Sequence, residues 1–164
     1  VLRKRPAFRR AFADFDPVRV ARFNRRSVDR LVADAGIIRH RGKIESAIQN
    51  ARRALELIDE RSSLAAFFWD FIPEAGARPK RIDREALLAL TESAESRALS
   101  RELKRRGWTY VGPTTMYAFM QAMGLVNDHV EGCWAREPVE KEQRRARRPP
   151  RARLVDGDRR REIE

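Results

Sequence analysis

Between residues 44 and 58, apolar side chains recur at Ile44, Ala47, Ile48, Ala51, Leu55 and Ile58. Steps of three and four residues gather such side chains on one stripe of a 3.6-residue helix, whereas a half-buried strand places them at every second position. The spacing predicts a long amphipathic helix, with Lys43, Arg52 and Arg53 on its outer face. A helix of this kind must lay its stripe against other elements, so it sets the architecture that the remaining chain has to complete.

The flanking segments repeat the helical period in shorter pieces. Pro6 suits a first helical turn ahead of Ala7, Phe8, Ala11 and Phe12, and Asp16 followed by Pro17 reads as a cap and first-turn pair. Ser27 is the expected N-cap of a helix carrying Val28, Leu31 and Val32, with Gly36 at its exit. Ser62 or Ser63 caps "LAAFFWDFIP", which Pro73 ends, and Phe67, Phe68, Trp69 and Phe71 are assigned to the core. Asp83 caps "REALLAL", and Ser93 caps a helix running to Arg106. No alternating pattern persists, so the expected fold is all-α. With 164 residues the expectation is one helical domain over residues 1–136. From about residue 137 Glu, Lys, Arg and Pro dominate, and residues 137–164 are expected to form a charged, disordered tail.

The 36 Lys and Arg residues against 24 Asp and Glu leave a net charge of +12, a field that favours polyanionic partners. The basic tail carries part of that excess, so charge alone does not choose nucleic acid. A single cysteine, Cys133, allows no disulfide within the chain and fits a reducing compartment. No apolar run reaches the roughly 18 residues of a membrane span and no secretory signal is visible, so a cytoplasmic protein without membrane partners is expected. The helical pattern is already running at Val1, which leads to the expectation of an upstream segment.

Residues 106–134, "RGWTYVGPTTMYAFMQAMGLVNDHVEGCW", hold the densest signals. Lys104, Arg105 and Arg106 close one helix, Gly107 can take positive φ at its exit, and Gly112 and Pro113 open the next. The reading is helix, hairpin, helix. Main-chain amides at such a bend, with the open N-terminus of the second helix, suit a phosphate oxygen and read no base. The candidate DNA-binding residues are Gly107, Thr109, Val111, Gly112 and Thr114. Connections of this shape also join ordinary helices. The second helix is apolar on nearly every side, through Met116, Tyr117, Phe119, Met120 and Met123, until Gly124 ends it. His129 and Cys133, four apart, could share a metal, but zinc takes about four ligands, and from the spacing alone a surface histidine with a small buried thiol is the preferred explanation.

Three ordered blocks, "DAGIIRHRGKIESAIQNAR", "RELKRRGWTYVGPTTMYAFMQAMG" and "LVNDHVEGC", closely resemble the DNA-3-methyladenine glycosylase I family of helix-hairpin-helix DNA glycosylases. The resemblance runs from about Val1 to Cys133. It implies base excision repair: a monofunctional hydrolase flips 3-methyladenine from alkylated double-stranded DNA and cuts its N-glycosidic bond, leaving an abasic site. It also implies a monomer and a base pocket near Tyr117 and Ala118, though a core role for Tyr117 stands beside that. Asp128 is read as a turn or cap residue. His129 and Cys133 would supply half of a structural zinc site. The family's other Cys and His, its base-reading glutamate and its pocket aromatics precede the position of Val1. No catalytic residue is therefore assigned, and the expectation for this chain alone is poor or absent activity, from a late-placed gene start or a remnant. The alternatives are a non-catalytic helix-hairpin-helix DNA-binding protein and a small helical protein whose tail binds acidic partners. A β-branched residue at Gly112 should abolish DNA binding under the first two readings only.

Overall fold

The computed structural model describes residues 1–74 and 83–146. Its elements are α1 (Arg5–Ala11), α2 (Pro17–Ala21), α3 (Arg25–Ala33), α4 (Arg41–Arg61), α5 (Leu64–Trp69), α6 (Arg84–Ala89), α7 (Ala94–Arg105), α8 (Pro113–Ala122) and α9 (Arg136–Arg145). Short 3₁₀ turns precede α1 and α2, and the described residues contain no strand, as the all-α reading expects.

Side-chain caps set five of the helix starts among the described residues. Asp16 Oδ1 accepts from the Val18 amide at 2.9 Å and starts α2. Ser63, not Ser62, caps α5 by accepting from the Ala66 amide, because Ser62 stands in left-handed backbone at φ +66° as the preceding helix ends. Ser93 caps α7 in a reciprocal box with Ser96. The expected N-cap Ser27 is corrected: Asn24 caps α3, and Ser27 is the third helical residue, returning a bond to the Asn24 amide. The early turn escaped notice because Arg25 and Arg26 give it no apolar signal.

The long helix is α4, and it joins two cores. Ile44, Ile48 and Ala51 pack with Phe12, Val20, Val28, Leu31 and Ile37. Farther along, Leu57 enters a second cluster with Phe67, Leu99, Leu103, Met116, Tyr117 and Met120. The change of neighbour turns the buried stripe: Ala54 and Leu57 are buried, whereas the expected Leu55 and Ile58 are half-buried. Of the four aromatics assigned to the core, Phe67 is buried and Phe68, Trp69 and Phe71 pack on its edge. Truncating a side chain such as Leu99, which is 0% exposed, costs about 2–5 kcal/mol.

Order continues past the expected boundary at residue 137, because α9 runs to Arg145. Ion pairs one turn apart, Arg136 with Glu140 and Lys141 with Glu137, support it, and Gln143 Nε2 reaches the Gly124 carbonyl at 2.8 Å. Residues 147–164 of the expected tail lie outside the described residues.

Candidate nucleic-acid interface

The bend between α7 and α8 is built by three successive devices. Gly107, at φ +80°, turns the chain out of α7 while its amide reaches the Lys104 carbonyl at 2.9 Å and the Trp108 amide reaches that of Leu103 at 3.0 Å. This paired closure satisfies the last carbonyls of α7. Tyr110, at φ +56°, makes the second turn, a left-handed conformation that costs a non-glycine residue about 1 kcal/mol. Val111 then anchors the return: its side chain is buried and its carbonyl accepts from Ser100 Oγ at 2.7 Å. Gly112 is extended and Pro113 opens α8, whose N-terminus has no side-chain cap.

What holds the bend in place is α4. Asn50 Nδ2 donates to the Thr109 carbonyl and Asn50 Oδ1 accepts from the Thr109 amide, both at 3.0 Å. Ser46 Oγ donates to the same carbonyl at 3.2 Å and accepts from Thr109 Oγ1 at 2.7 Å. A side chain on Gly42 would stand 2.9 Å from the Tyr110 hydroxyl, and Arg53 Nε lies 3.4 Å from where a Cβ on Gly107 would be. Gly42, Ser46, Asn50 and Arg53 recur at helical spacing, so residues 107–110 lie antiparallel along one stripe of α4. This seat was missed in the sequence, although small and polar residues flanking an apolar stripe were its visible trace.

The seat divides the hairpin amides. Those of Gly107, Trp108 and Thr109 have protein acceptors, whereas among the described residues none meets those of Tyr110, Val111 or Gly112. Nothing lies within 4 Å of the position a Gly112 Cβ would take. The expected donor patch is therefore the second half of the bend, continued by exposed Thr114 and Thr115. Thr109 is exposed but its main chain is committed to α4, and Val111 offers its amide alone.

The basic cluster before the turn is divided too. Arg106 lies over the Phe67 ring and bridges Glu60, with Nη2 to Oε1 at 2.9 Å, and Glu102, with Nε to Oε1 at 2.6 Å. Arg105 also clasps Glu102. Hydrogen bonds from Arg105 and then Arg106 hold the Glu102 carboxyl down at about 2, and Arg106 likewise lowers that of Glu60. Lys104 is exposed and makes no ion pair among the described residues. It alone of the three has no carboxylate partner among the described residues.

A family model for methyladenine glycosylase matches residues 1–137, the helices and the bend together. The chain belongs to the methyladenine glycosylase family. It is 47% identical over 134 residues to DNA-3-methyladenine glycosylase 1 of Escherichia coli, covering 81% of this chain and 70% of that one. A crystal structure of 3-methyladenine DNA glycosylase I superposes with a TM-score of 0.70 at 42% identity, over 80% of this chain and 71% of that one. A variant of 3-methyladenine DNA glycosylase I in complex with 3-methyladenine gives 0.74 at 29% identity, over 82% and 72%.

In this glycosylase the two residues expected at a base pocket part company. Tyr117 is 2% exposed and its hydroxyl donates to Asp128 Oδ2 at 2.5 Å, while Ala118 is exposed. Asp128 is corrected from a turn or cap residue to a buried acceptor, which also receives Gln121 Nε2 at 2.9 Å. A helix turns about 100° per residue, so a buried Tyr117 sends Ala118 outward.

His129 and Cys133 do meet in the glycosylase, with Nδ1 and Sγ 3.5 Å apart. Bonds of about 2.1 and 2.3 Å at a tetrahedral zinc ion put such donors roughly 3.6 Å apart, so the pair fits two corners of that site. Among the described residues no third His, Cys, Asp or Glu joins them. Nor is any described helix long and apolar enough to cross a membrane.

Proposed function

We propose that this chain grips alkylated double-stranded DNA through the second half of the bend and hydrolyses the N-glycosidic bond of 3-methyladenine. The observation that carries the reading is the seat on α4. It fixes Thr109 from behind and leaves the amides of Tyr110, Val111 and Gly112 without a protein acceptor among the described residues, in a chain that belongs to the methyladenine glycosylase family. Neutral amides bind phosphate oxygens without reading bases, so the contact positions the lesion rather than choosing it.

The chemistry asks little of a strong acid. Methylation at N3 makes the base a cation, so the C1′–N9 bond breaks with the electron pair returning to a neutral leaving base. Water adds its oxygen to C1′ and gives up a proton to solvent. The protein's part is to extrude the nucleotide, at a cost of a few kcal/mol, and to hold it. Ala118 is exposed on α8, which supports assigning it, rather than buried Tyr117, to meet an extruded base. His129 Nδ1 and Cys133 Sγ would hold two corners of a structural zinc ion, which would tie the segment after α8 to whatever supplies the remaining ligands. The reading includes a monomeric, cytoplasmic protein.

Alkylated duplex incubated with the chain should release free 3-methyladenine and accumulate abasic sites. Asp128 favours a second reading, because the acid that follows the bend is engaged by Tyr117 and Gln121. A purely DNA-binding protein would bind the same duplex in a salt-sensitive way and release no base.

A further inference from the structure

The approach to α4 and its first turn, "IIRHRGK" at residues 37–43, supply none of the amides of the hairpin grip, yet through Gly42 they adjoin it. His40 caps α4 by accepting from the Lys43 amide at 3.2 Å, and its ring stands edge-on to Tyr110, with centroids 6.3 Å apart. Tyr110 is 55% exposed and held at positive φ, and its hydroxyl lies 2.9 Å from where a Cβ on Gly42 would stand, so its side chain reaches from the bend to this approach. Lys43 precedes Asn50 by two helical turns and so projects from the face of α4 that carries the bend. Arg39 sits immediately before His40, and both cations are exposed.

Their surroundings separate them from the cations around them. Arg41 is drawn to Asp29 at 2.7 Å and to Glu45 at 3.6 Å, and Arg53 to Glu56 at 2.7 Å. Arg39 and Lys43 have no carboxylate partner among the described residues. Two uncompensated charges thus neighbour in sequence His40 and Gly42, the two residues that meet the exposed Tyr110 side chain, in a bend whose later amides have no protein acceptor among the described residues. A single phosphate needs less than this; a run of phosphates spaced along a strand fits it.

We propose that Arg39 and Lys43 form a second phosphate-binding point of the same interface, so that the duplex backbone is held on both sides of Tyr110. This rests on the DNA-binding reading above and adds to it a surface outside the bend. Each cation that neutralises a phosphate releases counterions and contributes about 0.9 to the slope of log affinity against log salt concentration on B-form DNA.

The test is binding of the full chain to a short undamaged duplex across a salt series. Arg39→Ala and Lys43→Ala should each lower the slope by about 0.9, and the double variant by about 1.8. Arg39→Lys with Lys43→Arg should restore it, because the charge and not the side chain is required. Lys141→Ala, on exposed α9, makes the same charge change elsewhere and should leave the slope unaltered. Salt-dependent binding by the parent chain, with a double variant whose slope matches the parent, overturns this surface and leaves the DNA-binding reading standing. No duplex binding by the parent chain overturns both.

Discussion

Asn50 places both ends of its carboxamide on the main chain of Thr109, donating to the carbonyl and accepting from the amide at 3.0 Å. Two bonds from one side chain fix the position and the tilt of the bend at a residue 59 positions away. Each is worth about 0.5–1.5 kcal/mol at a partly solvated site. Asn50→Ala should therefore lower stability by about 1–2 kcal/mol and weaken duplex binding about tenfold, measured well below the melting transition. Asn50→Asp keeps the acceptor for the Thr109 amide but turns a charged oxygen toward the Thr109 carbonyl, and should bind DNA less well than the alanine variant. Duplex affinity unchanged in both would show that the seat does not position the interface.

Gly112 separates protein conformation from ligand approach. Its backbone is extended, at φ −62° and ψ 159°, and nothing lies within 4 Å of a Cβ there, so the fold itself does not demand glycine. Gly112→Val should fold with a melting temperature close to the parent's while losing tenfold or more in duplex affinity, because its side chain would stand in the space a phosphate must enter. Gly107 behaves in the opposite way. At φ +80° an alanine is strained by about 1 kcal/mol or more, so Gly107→Ala should show its effect in thermal unfolding. Equal loss of stability in the two variants would remove the case for close approach at Gly112.

The ion pairs at the end of α7 set a pH dependence. The Glu102 carboxyl is held at about 2, below its ordinary 4.5, by hydrogen bonds from Arg105 and Arg106. A depressed carboxylate stabilises the fold above its unfolded value, and that contribution drains away as pH falls through the interval toward 2. With partly solvated partners its size is about 1–2 kcal/mol. Glu102→Gln should thus be less stable than the parent near neutral pH, with the difference closing between about pH 4.5 and pH 2. Melting curves of the two proteins over that range decide it. A gap that stays constant with pH would assign the effect to packing.

The parts of this fold legible in the sequence are those encoded by neighbours. The period of Ile44, Ile48 and Ala51 gives α4, and Asp16, Ser63 and Ser93 mark their helices because a cap acts within three residues. Gly107 also read correctly, since its positive φ is a local demand, whereas Gly112 takes extended backbone and the second left-handed turn falls on Tyr110. What local spacing does not carry is the partner across the chain. Ser46 and Asn50 look like polar positions on a surface helix until the bend, some 60 residues on, is laid against them. Arg106 reads as a free cation beside the turn until Glu60 is brought to it from α4. Tyr117 and Asp128 show no mark of their shared bond. The order of α9 was present as Glu137 to Lys141 and Arg136 to Glu140 spacing, and was outweighed by the absence of an apolar stripe.

The pairing of His129 with Cys133 yields a test that needs no enzymatic assay. Their donor atoms stand 3.5 Å apart, close to the roughly 3.6 Å that two corners of a tetrahedral zinc site require. Binding a metal there displaces the thiol proton, since the thiolate is the ligand, so affinity should rise with pH. Cobalt(II) titrated into the full chain should develop a thiolate-to-metal charge-transfer band that saturates at one equivalent. Two protein ligands hold the ion weakly, so zinc should raise the melting temperature only slightly and a chelator should reverse the change. Cys133→Ser should abolish the band, whereas His129→Ala should shift saturation to higher metal concentration with the band retained. A band that survives loss of Cys133 has no other sulfur donor of this kind in the chain to arise from, and would mark the signal as foreign to the protein. No band in the parent chain at any pH would leave the 3.5 Å contact as a thiol–imidazole hydrogen bond and end the zinc proposal for these two residues.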